Sequence, residues 1–483
     1  MINHFAIIQV VGVLLALVGG LMFLPVLISL YYGSEDATAF LLSGSITLLV
    51  GASCYYLTIH RDNSVHKREG YLIVSMGWLA MFTFSALPYI LSGHIPSLTN
   101  AYFETVSGMT TTGATILTDI EATPPGLLFW RSMTQWIGGM GIIVLTIAVF
   151  PLLGIGGIEL FVAEAPGPVS DKLHPRIKAT ARALWVIYVS LTMILCLLLY
   201  LEGMTFFDAI NHAMTTMATG GFSTKNASVA YFQAPIIHYT IMVFMFIAGV
   251  NYTIIIFLLR FRWRRIWRNE EFRGYLIIVG LLSLLVTFLV YSATEGNIER
   301  SFRDATFQVV SIITTTGYVT ADYTSWKVSL TALFFILLFA GASAGSTSGG
   351  IKLIRHVVFL KNSVLEFKRL LHPKAIIRLR MNHEIVPARI LTHILVFLLI
   401  YLGVFIVGTI VVSGLGLDLL SSMGAVATSL GNVGPGIGAV GPLDNFAGLN
   451  DPTKWVLMFL MLLGRLELFT ILILFTPYFW KAK

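Results

Sequence analysis

Four stretches of this chain end in the same kind of loop, and that repetition limits what the chain can fold into. They read Ser107-Gly108-Met109-Thr110-Thr111-Thr112-Gly113, Thr215-Thr216-Met217-Ala218-Thr219-Gly220-Gly221, Ser311-Ile312-Ile313-Thr314-Thr315-Thr316-Gly317 and Thr428-Ser429-Leu430-Gly431-Asn432-Val433-Gly434. In each, a hydroxyl residue stands six positions before a glycine, and the glycines are 108, 96 and 117 residues apart. Self-similarity at such a period marks a duplicated unit. Four backbone loops brought to one axis can replace the water around a cation.

The surroundings of the loops are apolar. Hydrophobic residues fill 56 % of the 483 positions and only 11 % are charged, whereas a soluble domain is about 25 % charged. Ten segments are long and apolar enough to span a bilayer, near 5–32, 38–59, 71–93, 126–152, 182–202, 235–260, 274–293, 328–360, 387–413 and 453–479. Four shorter ones, near 99–111, 206–218, 303–315 and 418–431, cannot span and suit re-entrant half-helices. Each leads directly into one of the loops. The expected fold is an all-α polytopic membrane protein with ten transmembrane helices plus four re-entrant pore half-helices. Its divisions are an N-terminal helix pair (1–62) and four pore repeats (63–165, 166–265, 266–370 and 371–483). The first apolar run is too long for a cleaved signal peptide, and no small-residue cleavage site follows it.

The basic residues orient this chain. With both termini in the cytoplasm, 24 of the 31 Lys and Arg lie on the inner side, in 60–70, 165–182, 258–273, 352–389 and the tail. The net charge of +7 is therefore no nucleic-acid signal. The mixed aromatic and basic run Phe261–Arg268 reads as an interfacial anchor in the lipid bilayer. By the same topology 14 of the 24 Asp and Glu face outward, Glu104, Asp208, Asp304 and Asp418 among them, which would concentrate cations at the outer mouth.

In this orientation each loop starts about halfway through the membrane and opens outward. Backbone there must line a cavity or be buried in protein. The half-helix before it aims its negative C-terminal end at the membrane centre, which favours a cation. Two further positions repeat: Glu104, His212 and Gln308 stand nine residues before the glycine, and Asn100, Asp208, Asp304 and Ser421 thirteen before it.

The eighth span is interrupted by Gly341-Ala342-Ser343-Ala344-Gly345-Ser346-Thr347-Ser348-Gly349-Gly350, with helix expected to resume at Ile351. Ten consecutive small residues are poor helix material. Arg465 falls near the middle of the last span, where a cation costs about 2.5–3.5 kcal/mol. It reads either as one partner of an interhelical ion pair or as a fixed positive charge under the loops that hinders cation passage. Glu467 faces another side of that helix and makes a poor partner within it.

Other signals fall away. Gly436–Gly441 fits GxGxxG but follows a loop rather than a strand, and Gly341–Gly345 fits GxSxG inside a span. There is no P-loop, HExxH or CxxC, and Cys54 and Cys196 lie in apolar spans. His212 reads as a packed or pore-mouth residue. No catalytic constellation emerges, so the chain is not expected to be an enzyme.

The chain resembles the TrkH/KtrB family of K+ transporters along its whole length. The resemblance rests on the four loops, on Trp136-Ile137-Gly138-Gly139-Met140-Gly141, Gly220-Gly221-Phe222-Ser223-Thr224, Gly249-Val250-Asn251-Tyr252 and Asn432-Val433-Gly434-Pro435-Gly436, and on the extra N-terminal pair of spans, which favours the TrkH branch. It implies four M1–P–M2 repeats around one pore and a K+-binding filter made of Thr111, Thr112, Gly113, Thr219, Gly220, Gly221, Thr315, Thr316, Gly317, Asn432, Val433 and Gly434. Glycine in all four repeats implies a preference for K+. The resemblance also implies that 341–350 and Arg465 form the gate, and that the chain works in the bacterial inner membrane as a homodimer with a cytosolic TrkA-like nucleotide-binding ring. K+ is the transported ion, and no cofactor is expected. The function implied is K+ uptake through a gated pore, with a secondary symporter coupled to H+ or Na+ as the alternative. Because no loop carries the full TVGYG signature, weaker discrimination than in a symmetric K+ channel is expected.

Overall fold

A computed structural model describes residues 2–61, 65, 67–149, 177–294, 297–382 and 384–481. The inner part of the first expected repeat, the 165–182 inner segment up to Arg176 and the 165/166 boundary lie outside the described residues, as does the boundary at 62. The chain is a multi-span helical membrane protein. Six helices among the described residues are long and apolar enough to cross a bilayer: His4–Tyr32, Ala37–Thr58, Arg68–Leu91, Arg182–Leu201, Glu270–Ala293 and Ala388–Gly414. Pro125–Val149 is a seventh long helix, of 25 residues.

Three expected spans are not continuous. Pro235–Ala248 and Tyr252–Leu259 meet at 105°, and Asp451–Arg465 and Phe469–Phe475 at 109°. The eighth stops at Leu337 and helix resumes at Leu353 rather than Ile351. At the first break Asn251 caps the new helix by accepting from Thr253 N at 2.8 Å. At the last, Glu467 and Leu468 take left-handed φ values of 56° and 55°. A two-residue strand pair, Arg380–Met381 with Glu384–Ile385, adds a small hairpin to the otherwise helical chain.

The N-terminal pair packs through glycines. A Cβ on Gly12 would stand 2.8 Å from Gly51 O, and one on Gly19 would stand 2.6 Å from Leu48 N. Small residues let the two backbones approach, which is how helices associate where lipid removes the hydrophobic drive.

The four short helices are Leu98–Met109, Phe206–Met217, Ile298–Ile313 and Leu419–Gly431. Each opens with a side-chain cap: Ser97, Thr205, Asn297 and Asp418 accept from the first-turn N–H of Asn100, Asp208, Glu299 and Ser421. The third is longer than expected because Asn297 caps it six residues before 303, ahead of the Arg303–Glu299 pair at 3.2 Å. Packing runs around the molecule. Leu98–Met109 sits against Asp451–Arg465, Phe206–Met217 against Pro125–Val149, and Ile298–Ile313 against Pro235–Ala248.

Candidate functional site

All four half-helices end in the same backbone motif. The N–H groups of Thr112, Gly220, Thr316 and Val433 bond to the carbonyls of Ser107, Thr215, Ser311 and Thr428 at 2.9, 2.9, 2.8 and 3.0 Å. One residue earlier, Thr111, Thr219, Thr315 and Asn432 bond three residues back. These are Schellman caps, and they require a left-handed residue, found at Thr111 (φ 53°), Thr219 (52°), Thr315 (55°) and Asn432 (52°). The residue six positions before each glycine thus closes the helix through its main-chain carbonyl, a bond that does not use its hydroxyl. Threonine is a poor left-handed residue, and such a conformation costs about 1–3 kcal/mol. Asparagine tolerates it, so the Asn of the fourth loop does the same backbone work as the three threonines.

Two residues on, Gly113, Gly221, Gly317 and Gly434 have φ of 83°, 76°, 79° and 101°. A Cβ on Gly113 would overlap Gly220 O, one on Gly221 would overlap Thr316 O, and one on Gly317 would overlap Val433 O. A Cβ on Gly434 would come 2.7 Å from Thr112 O. The contacts run from the first loop to the second, third and fourth and back to the first, so the loops form a closed ring.

The outward-returning chain is tied down in the same order. Asn226 Oδ1 accepts from Ile120 N at 2.7 Å, Tyr318 Oη donates to His212 O at 3.2 Å, Tyr323 Oη to Gly436 O at 2.7 Å, and Phe446 N to Thr115 O at 2.8 Å. In the first three repeats the residue nine before the glycine reaches its own returning loop; the fourth has Ala425 there. Glu104 accepts from Thr115 Oγ1 (2.9 Å) and Ile116 N (2.9 Å), and His212 Nε2 meets Ser223 Oγ at 2.9 Å. Gln308, with its amide oxygen toward the loop, accepts from Thr320 N at 2.8 Å. His212 is therefore a packed residue, as one of the two readings had it.

Glu104 corrects the acidic-mouth expectation. It is fully buried and paired with Arg131 at 2.5 Å, while Arg131 donates to Ser223 O and lies over the Phe222 ring at 3.6 Å. Asp208 is likewise buried and accepts from the Thr205 and Thr224 hydroxyls. These two carboxylates are engaged within the protein, one by Arg131 and one by threonine hydroxyls.

Gln135 went unread in the sequence. From Pro125–Val149 it donates to Gly220 O at 2.6 Å and accepts from Phe222 N at 3.1 Å, clamping the second loop on both sides of its glycine. A buried amide inside an apolar span was the signal that marked it.

The segment Gly341–Gly350 is unwound, and only Gly345 in it is well exposed. It fills the crook of the broken sixth span. Ser343 N donates to Gly249 O (3.0 Å), Tyr252 N donates to Gly345 O (3.2 Å), and Thr347 Oγ1 donates to Met217 O (3.1 Å). Ala344 N donates to Glu271 Oε1 at 2.7 Å, and Lys352 Nζ bonds Ser348 O. Gly349 N donates to Thr315 Oγ1 at 2.6 Å. Gly341, Ala342, Ser346 and Gly350 complete the turn, with Gly341 N on Ile351 O at 2.8 Å.

Arg465 ends the helix Asp451–Arg465, at the bend near the middle of the last span. It donates to Thr347 O (3.0 Å), Gly138 O (2.5 Å) and Gly139 O (3.0 Å). It thus ties the small-residue segment to the Trp136–Gly141 motif. Glu467 pairs with Arg355 of the helix Leu353–Leu371 and not with Arg465.

A closed ring of backbone loops buried inside a multi-span helical protein is the arrangement of a transport protein. The TrkH family model, described as a cation transport protein, matches residues 36–481, and the chain belongs to that family. It is 42 % identical over 488 residues to the Trk system potassium uptake protein TrkH of Escherichia coli strain K12, covering 99 % of this chain and 100 % of the relative. The TrkH protein of Vibrio parahaemolyticus is 40 % identical over 489 residues, covering 99 % of each. The crystal structure of the potassium transporter TrkH from Vibrio parahaemolyticus superposes with a TM-score of 0.89 at 37 % identity, over 99 % of this chain and 100 % of that one.

Proposed function

We propose that this chain carries K+ into a bacterial cell across the inner membrane through a gated pore, with ten spans, four M1–P–M2 repeats and both termini in the cytoplasm. The closed cycle of glycine-to-carbonyl contacts, Gly113 to Gly220 to Thr316 to Val433 and back to Thr112, carries this reading. A pore needs four walls around one axis, and the cycle supplies them. Carbonyls at this ring would replace the hydration shell of K+. The printed function of the relatives, potassium uptake, agrees.

In this reading Thr111–Gly113, Thr219–Gly221, Thr315–Gly317 and Asn432–Gly434 are the filter, and Gly341–Gly350 with Arg465 is the gate beneath it. The segment is held from the breaks of the sixth and last spans, through Gly249 O, Tyr252 N and Arg465. All four repeats run in the same direction (half-helix, loop, span), which suits a pore rather than an alternating carrier built on inverted repeats. Pairing as a homodimer and control by a nucleotide-binding ring follow from the family resemblance. The basic inner stretch 352–380 is the surface offered to that partner.

The test is 86Rb+ flux in liposomes holding the purified chain, with K+ and Na+ as competitors, and single-channel recording alongside. Discrete openings, and a Rb+ flux lowered more by K+ than by Na+, are expected. Strict stoichiometric coupling of each Rb+ to H+ or Na+ would overturn the pore reading.

A further inference from the structure

Thr315 is where the small-residue segment bonds the ring directly. Its Oγ1 accepts the Gly349 N–H at 2.6 Å, and both residues are buried. The equivalent positions in the other walls are engaged differently. Thr219 Oγ1 bonds the carbonyl of its own neighbour, Ala218, at 2.7 Å. Thr111 Oγ1 is buried with no partner. Asn432 Nδ2 donates to Thr112 Oγ1 and Met461 O at 3.0 and 2.9 Å. Of the four, Thr315 alone gives its side chain to the segment.

The left-handed residue is the innermost of each loop, since the half-helix descends to it and the chain then turns outward. A hydroxyl oxygen there can ligate a cation or accept an N–H. It cannot serve both well. The Gly349 N–H is the positive end of a dipole, and in a site shielded from water a cation brought to the same oxygen is repelled. Gly349 is also held close from the other side, since a Cβ on it would lie 2.6 Å from Gly431 O and 2.8 Å from Asn432 Cβ.

We propose that Thr315 Oγ1 is a ligand shared in alternation by Gly349 and a monovalent cation, so that an inner cation site on the third wall is masked while the segment is seated and completed when it leaves. This rests on reading the loops as filter and 341–350 as gate. Linkage is reciprocal: the seated segment lowers the affinity of the inner site, and an ion in that site unseats the segment by the same factor.

The experiment is a double-mutant cycle on the full chain in liposomes, read by Rb+ flux. Thr315→Val keeps the β-branched shape and removes the acceptor, and it is combined with shortening of 342–349. With the segment intact, Thr315→Val should raise flux about two- to tenfold, the worth of one hydrogen bond. In the shortened background, where the hydroxyl serves only the cation, it should give no rise and should weaken the apparent affinity for Rb+. A second readout does not depend on Thr315→Val folding. With Cys54 and Cys196 replaced, Ser346→Cys should react with a maleimide faster as Rb+ replaces N-methylglucamine. Thr315→Ser should keep that response. An equal effect of Thr315→Val in both backgrounds, no rise with the segment intact, or labelling indifferent to Rb+ would overturn the shared ligand and leave the gate standing. Unchanged flux on shortening the segment alone would remove the gate itself.

Discussion

Asn432 donates through Nδ2 to Thr112 Oγ1 at 3.0 Å, joining two residues 320 positions apart. This bond stitches the last loop to the first, and a second from Nδ2 to Met461 O anchors it to the helix behind. One side chain therefore serves backbone conformation and ring closure together, and the two roles can be separated by substitution.

Asn432→Gly keeps the left-handed backbone and loses both bonds, whereas Asn432→Ala loses the bonds and adds strain. Asn432→Gly should fold and transport with reduced K+/Na+ discrimination. Asn432→Ala should also lose about 1–2 kcal/mol of stability. Melting temperature in detergent and Na+ competition of Rb+ flux measure the two effects. Equal discrimination in Asn432→Gly and the parent would refute the closure role.

The filter glycines should not tolerate alanine, and their order is set by the room available. Gly221→Ala and Gly317→Ala drive a Cβ into the carbonyl of the next loop, while Gly434→Ala meets Thr112 O at 2.7 Å. All carry positive φ, which adds about 1 kcal/mol or more of strain to an L-residue. Growth of a K+-uptake-deficient strain at low K+ should fail for Gly221→Ala and Gly317→Ala and recover in part for Gly434→Ala.

Arg465 reaches three carbonyls, and a planar guanidinium can span them where an ammonium cannot. If its role is to latch the segment to Gly138 and Gly139, Arg465→Lys should behave like Arg465→Ala. Both should raise basal flux by about tenfold or more, given about 1.5–3 kcal/mol for a charged hydrogen bond. If the positive charge itself bars cations, Arg465→Lys should stay closed. Basal Rb+ flux without a cytosolic partner distinguishes the two.

The Glu104–Arg131 pair is buried on both sides, so removing one partner strands the other. Glu104→Gln should cost about 3–5 kcal/mol and lower the yield of folded protein. Replacing both by Gln and Met should cost less than Glu104→Gln alone. A double variant less stable than the single one would show that the charges matter for more than each other.

The half-helices and loops are legible because a local signal, a short apolar segment with a hydroxyl residue six positions before a glycine, recurs four times in the chain. The breaks were less so. Gly249-Val250-Asn251 carried glycine and a capping residue, but Leu466-Glu467-Leu468 carries neither, and its left-handed turn accompanies the Arg355–Glu467 pair, a contact across 112 residues. Apolar content is blind to such a bend, because a broken span and a straight one have the same hydropathy. Glu104 was misread for a related reason. Its place on the outer half of the chain was legible, but its neutralisation by Arg131 depends on two helices meeting.

Carrying all four walls in one polypeptide has a consequence for inheritance. In a pore built from four copies of one subunit, any codon change appears on every wall at once. Here each wall has its own codons, so Thr315 can bond the Gly341–Gly350 segment while Thr111 and Thr219 do not, and Asn432 alone can reach the first loop through Thr112. Selectivity and control can drift separately, one quadrant at a time.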